Sequence, residues 1–423
     1  MRKILLLLVL VSSQLTALAQ SRTVIVDLQS DLKLQAVTTA LGAKVIDNIP
    51  GTSLYVLKVS SLPGFQSHAL LGVNSIELDD AITLRPEGAL GILTVRASRQ
   101  AEWYAQQPAF KLIRADRALA QSKGRGVVIA DLNSEVDFRH PALVGHLTGG
   151  HDFVSERKAK GADLDQSSAS FLDQSSAAFL DQSSAAFLDQ SSAAFLDQST
   201  ASFLDQSSAS FLDAMQPAHG HGTFCAGLIA AVAPEAMIMP LRVFDDNGRA
   251  NVSSIAKAIH YAVKHGADVI NMSFGMTTSS PAVKRAIAFA IERGVIVVAS
   301  AGNNDSNVPQ YPAGFKDVIA AASTDLMDKK AGFSNYGQAV FVTAPGVNII
   351  SAYPDGHYAL ASGTSFSAPL VAGEAALLQS ARRNGARHAI ARGTVNIDSK
   401  NPAYAGQLGN GRIDMVRALQ NLN

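Results

Sequence analysis

The sequence predicts an α/β protein: a mostly parallel central sheet with helices on both faces, preceded by a small α+β module. Two observations carry this. From about residue 103, short apolar β-branched runs alternate with segments of helical spacing, the signature of strands buried on both faces between helices. Between residues 20 and 100 the strand-like runs alternate in polarity instead and enclose one helix.

The elements follow in order. Arg2-Lys3, the apolar run Ile4 to Val11 and Ala17-Leu18-Ala19 describe a secretory signal peptide over 1–19, cleaved after Ala19. The apolar run is far short of the ~20 residues a membrane span needs, so no span is expected once it is removed. Export implies an extracellular or periplasmic protein. The single Cys225 allows no internal disulfide.

In the 20–100 module, TVIVDL (23–28) and SLYVLKV (53–59) read as strands, and Asp31 to Leu41 as a helix closed by Gly42. SIELDDAITLR (75–85) carries further strand-like alternation. In the large domain, 103–423, strands are expected at GVVIADL (126–132), MIMPLRV (237–243), ADVINMS (267–273), VIVVA (295–299) and VIAAA (318–322). Val252 to His265 places Ile255, Ala258, Ile259, Ala262 and Val263 on one helical face, with Gly266 as the stop. Ser280 caps a second helix that opens with Pro281 and closes at Gly294. Ligands of such sheets bind beyond the carboxyl ends of the strands.

Residues 165–212 interrupt this domain with six tandem copies of an octapeptide, DQSSAAFL with minor variation. A period of eight matches neither a heptad nor a common solenoid unit. It is read as an insertion tolerated as a loop, with a docking segment or a lid over the cleft as the alternatives.

Formal net charge is +0, from 35 Lys and Arg against 35 Asp and Glu. That balance argues against nucleic acid or an anionic membrane surface as a partner. The chemistry lies in three remote stretches. Serine is a poor nucleophile unless an imidazole takes its proton and an acceptor fixes the imidazole tautomer. Ser365 in SGTSFSAP precedes the apolar helical run Leu370 to Leu378, placing its hydroxyl at a helix N-terminus, where free N–H groups favour a developing oxyanion. HGHGTFCAG (219–227) supplies two histidines, and GVVIADLNSEVDFRHP (126–141) supplies Asp131 and Asn133. The close histidine pair lacks the carboxylate or thiolate that a recognisable zinc spacing requires, so no metal is expected.

These segments resemble the nucleophile, base and acid motifs of the subtilisin-like serine protease family, the subtilases. The resemblance covers about residues 103–420 apart from the repeat, including FSNYG (333–337) and TAPG (343–346). It implies Ser365 as nucleophile, His221 rather than His219 as base, and Asn303 in SAGNND as a donor to the oxyanion. Ser273, Phe274 and Gly275 match the segment that pairs with substrate backbone. Ser300, Ala301 and Gly302 match the opposite wall of the specificity pocket, with Gly363 and Thr364 beside the nucleophile. It further implies protein or peptide substrates. Residues 20–100 take the place of a propeptide that inhibits its own enzyme until removed. No cofactor is expected; a structural calcium stays open.

The acid is the departure. Aligning Val136-Asp137 and His140-Pro141 puts Asn133 where the family has Asp, with Ser134 for the usual Thr and Glu135 for the usual Gly. Asp131 lies two residues earlier on the same side of the strand, displaced by roughly 6–7 Å. Two readings stay open for it: a carboxylate that reaches His221 through a bulge, or a structural group bonded to backbone or to Lys or Arg. If Asn133 alone orients His221, the amide can stabilise the wrong tautomer, a change that lowered turnover by roughly 10⁴ in another serine protease. The expected function is thus a secreted serine endopeptidase with turnover reduced to the extent that Asn133 fails as the acid. The alternatives are an impaired peptide-binding descendant that keeps the cleft, and a surface or assembly protein working through the repeat.

Overall fold

Residues 22–59 and 73–78 build a four-stranded antiparallel sheet in the order β2-β3-β1-β4. Its strands are β1 (Arg22–Leu28), β2 (Lys44–Asn48), β3 (Leu54–Val59) and β4 (Val73–Leu78). Helix α1 (Leu34–Leu41) follows β1 and ends at Gly42, whose φ of +55° is the left-handed stop its sequence foretells. Val37 of α1 packs with Val24, Val26, Leu57 and Val59 of the sheet. The computed structural model describes residues 22–60, 72–84, 93–96, 102–158, 218–382 and 384–422. The expected signal peptide and the octapeptide array lie outside the described residues.

The chain divides into two compact units, Met1–Asp79 and Asp80–Asn423. This division corrects the expectation that the first module runs to residue 100. SIELDDAITLR is not one strand: β4 ends at Leu78, and Ala81–Thr83 (β5) pairs antiparallel with Arg249–Asn251 (β10). Leu93–Arg96 (β6) likewise pairs with His357–Ala361 (β16).

The second unit is organised by a seven-stranded sheet in the order β14-β13-β12-β11-β7-β9-β8. Its strands are β7 (Val128–Asn133), β8 (His151–Asp152), β9 (Met237–Arg242), β11 (Val269–Met272), β12 (Ile296–Ser300), β13 (Ile319–Thr324) and β14 (Val342–Pro345). Every neighbouring pair is parallel, and β11, β13 and β14 are buried along their whole length. The helices that cover them are α2 (His221–Val232), α3 (Val252–Lys264), α4 (Pro281–Glu292) and α5 (Thr364–Ala381). Helix α2 packs with α5, and α3 with α4. Ser280 Oγ accepts from the Val283 N–H and Pro281 opens α4, as its sequence dictates.

The chain reaches β9 on one side of β7 and then returns to β11 on the other. The order therefore reverses at β7, the place where open α/β sheets bind ligands beyond their carboxyl ends. Asn133 is the last residue of β7, and α2 and α5 begin with His221 and Thr364. Among the described residues no helix is long and apolar enough to cross a membrane.

Candidate active site

The first turn of α2 is locked onto the turn that follows β7. Gly220 precedes it with φ +82°, and a Cβ there would lie 2.2 Å from the Tyr353 ring. Ser134 Oγ donates to the Ala218 carbonyl (2.7 Å) and accepts from the Gly222 N–H (3.0 Å). Thr223 Oγ1 accepts from the Asp137 N–H at 2.9 Å. These bonds bring the His221 ring to the end of the strand: Asn133 Oδ1 lies 2.6 Å from His221 Nδ1. His219 is exposed, and its carbonyl accepts from the Tyr353 hydroxyl at 3.3 Å. Of the two histidines, His221 is therefore the one held at the end of β7, where the resemblance expects the base.

Asn133 Oδ1 also accepts from the Ser134 N–H at 2.9 Å, while Nδ2 lies 3.4 Å from each oxygen of Asp131. Asp131 does not take the ring itself, which corrects the reading that its carboxylate reaches His221. It makes no ion pair among the described residues, so the structural pairing with Lys or Arg also falls. Its second partner is Asn271 of β11, which stands beside it in register and donates from Nδ2 at 2.8 Å. Asp131, Asn133 and Asn271 are 0%, 1% and 0% exposed. Burial pushes the Asp131 carboxyl up to about 6, against the bonds from Asn271 and Asn133 that favour its charge. Burial alone pushes His221 down to about 4, since the residue on its Nδ1 is neutral.

Ser365 is the second residue of α5, and its hydroxyl donates to the Ser273 carbonyl at 3.1 Å. In return Ser273 Oγ donates to the Ser365 carbonyl at 2.9 Å and accepts from Asn271 Nδ2 at 3.0 Å. Cys225 lies between His221 and Ser365: its Sγ is 3.9 Å from His221 Nδ1 and 3.6 Å from the Ser365 carbonyl. The His221 and Phe366 ring centroids are 5.8 Å apart. Serine, imidazole and amide thus converge at one rim of the sheet. His221 Nε2 is buried and makes no hydrogen bond among the described residues, while the Ser365 hydroxyl is engaged with Ser273. A catalytic hydrogen bond is often made only when substrate is bound.

Asn303 follows β12, and its Oδ1 accepts from the Thr364 N–H (2.9 Å) and the Thr364 hydroxyl (2.8 Å). The amide is thus held by its oxygen at the start of α5, beside Ser365 in the chain. The Thr364 hydroxyl also accepts from the Gly302 N–H at 3.1 Å, joining the nucleophile helix to the second wall. The segments Ser273–Gly275 and Ser300–Gly302 face a common side chain, Gln310. A Cβ on Gly275 would lie 2.3 Å from Gln310 Oε1, and one on Gly302 2.5 Å from it. Phe274 and Ser300 are buried, Phe274 against the Phe244 ring at 5.1 Å. They offer backbone rather than side chain to the slot. Gly363 is buried immediately before Thr364.

Sequence reasoning passed over three residues. Asn271 carried a usable signal, a polar residue inside an apolar strand, the same that marked Asp131. Ser134 was noticed only as a departure from a motif, and Gln310 gave no signal because its neighbours are distant in sequence. Among the described residues no group of three or more His, Cys, Asp or Glu is placed to hold a metal ion.

The model of the subtilase family matches residues 124–411. Thermitase of Thermoactinomyces vulgaris is 33% identical over 318 residues, covering 73% of this chain and 94% of its own. Subtilisin BL of Lederbergia lenta is 40% identical over 173 residues, 39% of this chain and 64% of its own. Among solved structures, fervidolysin from Fervidobacterium pennivorans, a keratinolytic enzyme related to subtilisin, superposes with a TM-score of 0.66 at 22% identity, covering 95% of this chain and 61% of that one. That likeness speaks for the fold. With Ser365, His221 and Asn303 gathered at the switch point and the family model matched across them, the chain belongs to the subtilases, a family of serine endopeptidases.

Proposed function

We propose that the chain is an exported endopeptidase, made as a zymogen, in which Asn133 serves as the acid of the triad. Ser365 attacks the scissile carbonyl while His221 Nε2 takes the hydroxyl proton and later returns it to the leaving amine. The Asn303 amide and the Ser365 N–H at the start of α5 receive the oxyanion. The observation that carries this reading is the 2.6 Å contact between Asn133 Oδ1 and His221 Nδ1. An oxygen at that place accepts from Nδ1–H and leaves Nε2 free as the base.

The zymogen reading is supported by the strand that follows the N-terminal unit. Residues 81–83 add to β10, and Leu84 donates from its N–H to the Gly248 carbonyl at 2.6 Å. A Cβ on Gly248 would touch the Leu84 Cβ at 3.2 Å and the Ala218 Cβ at 3.7 Å, close to the start of α2. A peptide that adds a strand beside the base occupies the place a substrate backbone would use. Residues 20–84 then act as the intramolecular inhibitor. The leader over 1–19 supplies the export, and proteins or peptides are the substrates.

The test is a fluorophosphonate probe applied to the mature enzyme. Labelling at Ser365 that Ser365→Ala abolishes is the expected result. An unlabelled, folded chain would instead make it a peptide-binding descendant. For the zymogen, a separate polypeptide of residues 20–84 should inhibit the mature enzyme, and failure to inhibit would remove that part of the reading. Deleting 165–212 should leave hydrolysis of a small ester intact.

A further inference from the structure

An amide in place of a carboxylate has an ambiguity that an acid lacks. One end of the planar group accepts and the other donates. Only the accepting end holds His221 in the tautomer that leaves Nε2 free, so what grips the far end of Asn133 decides whether the site works.

We infer that Asp131 is a positioning residue for catalysis: its carboxylate holds the Asn133 NH₂ group and so turns Oδ1 toward His221. The proposal deepens the Ser365–His221–Asn133 reading and rests on it. The acid function is then split between two residues on one face of β7, with the acceptor at 133 and the negative charge at 131.

Three observations carry it. First, both ends of the amide meet groups of fixed character. Oδ1 faces the Ser134 N–H at 2.9 Å, and Nδ2 faces both Asp131 oxygens at 3.4 Å. Reversing the amide would set donor against donor at Ser134 and acceptor against acceptor at Asp131. Second, a wholly buried carboxylate is costly and needs bonded partners, and the partners recorded for Asp131 are the Asn133 and Asn271 amides. Third, Asn271 Nδ2 also reaches Ser273 Oγ, which donates to the Ser365 carbonyl. The carboxylate thereby sits in one hydrogen-bond network with the base and the nucleophile helix. Its elevated pKa, about 6, still leaves it ionised at neutral and alkaline pH.

The experiment is a double-mutant cycle on the mature enzyme with a chromogenic peptide substrate. Asp131→Val should lower kcat on the order of 10²-fold with KM within about twofold. That is short of the ~10⁴ of a fully wrong tautomer, because the Ser134 N–H still favours the oxygen end. Asp131→Asn keeps an acceptor for the Asn133 NH₂ and should recover most of the loss. In an Asn133→Asp background there is no amide left to orient, so Asp131→Val should cost nothing. An unchanged kcat in Asp131→Val, or an equal loss in both backgrounds, overturns the proposal. Should Asp131→Val fail to fold, nitrogen NMR of the His221 ring in the wild type reads the same point. Protonation at Nδ1 supports the proposal, and protonation at Nε2 overturns it. Fluorophosphonate labelling of the wild type tests the parent reading separately: a labelled enzyme indifferent to Asp131 loses only this positioning role.

Discussion

Gly222 packs against the backbone of Ser134 so closely that a Cβ would lie 2.5 Å from the Ser134 carbonyl oxygen and 2.7 Å from that of Glu135. No flexible side chain stands there to yield. Gly222→Ala should therefore push the start of α2 off the β7 turn and lengthen the Asn133–His221 contact. A displacement near 1 Å costs about 10² in rate. We expect kcat to fall by that order with a lower melting temperature, measured by peptide hydrolysis and calorimetry.

Asn303 is held by its oxygen, leaving its N–H groups for the oxyanion. Asn303→Ala should lower kcat by about 10²–10³, a magnitude known from a family member, with little change in KM. Steady-state kinetics decides; a rise in KM at unchanged kcat would mean that the amide binds the ground state.

Asn133→Asp moves a full charge next to the imidazole. Two buried carboxylates this close cannot both ionise, so Asp131 then keeps its proton and one charge in effect moves from about 7 Å to about 4 Å from the ring; at an effective dielectric of 20 this gains about 2 kcal/mol, or on the order of 20-fold in kcat. The same charge raises the His221 pKa from about 4. A base works only when deprotonated, so the acid limb of kcat/KM should move to higher pH, by about 1–3 units. A pH–rate profile of both enzymes checks the direction.

Gln310 occupies the space between the Gly275 and Gly302 walls, and its Nε2 donates to Asn304 Oδ1 at 3.2 Å. A polar side chain in the slot leaves less room for a large apolar substrate residue. Gln310→Ala should raise kcat/KM for Phe or Leu before the scissile bond by about 10–200-fold relative to Ala. Profiling with a set of peptides that differ only at that residue tests it.

Glu374 is buried in α5 at 1% exposure, with neither carboxyl oxygen hydrogen-bonded among the described residues. Burial, reinforced by the charge of Asp414, holds its pKa well above the ordinary 4.5. A folded pKa above the unfolded one adds stability that is present below the unfolded value and lost as pH rises through the folded value. Glu374→Leu removes two orphaned acceptors, worth about 1–3 kcal/mol. It should raise the melting temperature most at neutral and alkaline pH, flattening its decline with pH. Calorimetry in a Ser365→Ala background avoids autolysis.

The sheet was legible because its strands are buried on both faces and so read as apolar runs, unbroken at Ile296–Ala299 and Ile319–Ala322. Ser365 and His221 were legible because their roles need small flanking residues at set spacings. The hairpin of Ile349–Tyr353 (β15) and β16 was not, since its mixed polarity resembles a loop. The strand-like alternation over 75–85 resolves into two strands because the partner of Ala81–Thr83 lies near residue 250, beyond any local pattern. Asp131 and Asn133 were visible as anomalies, but the order in which they serve His221 depends on Asn271 of a neighbouring strand, 140 positions away.

With charge and acceptor at alternate residues of β7, the unit that selection or an engineer handles here is a pair of codons. Valine with aspartate would serve, as aspartate with asparagine does, whereas valine with asparagine leaves the amide ungoverned. Single substitutions link the two competent genotypes through the double aspartate, where one acid must keep its proton for the other to act. Variation at 131 thus has meaning only when read jointly with 133.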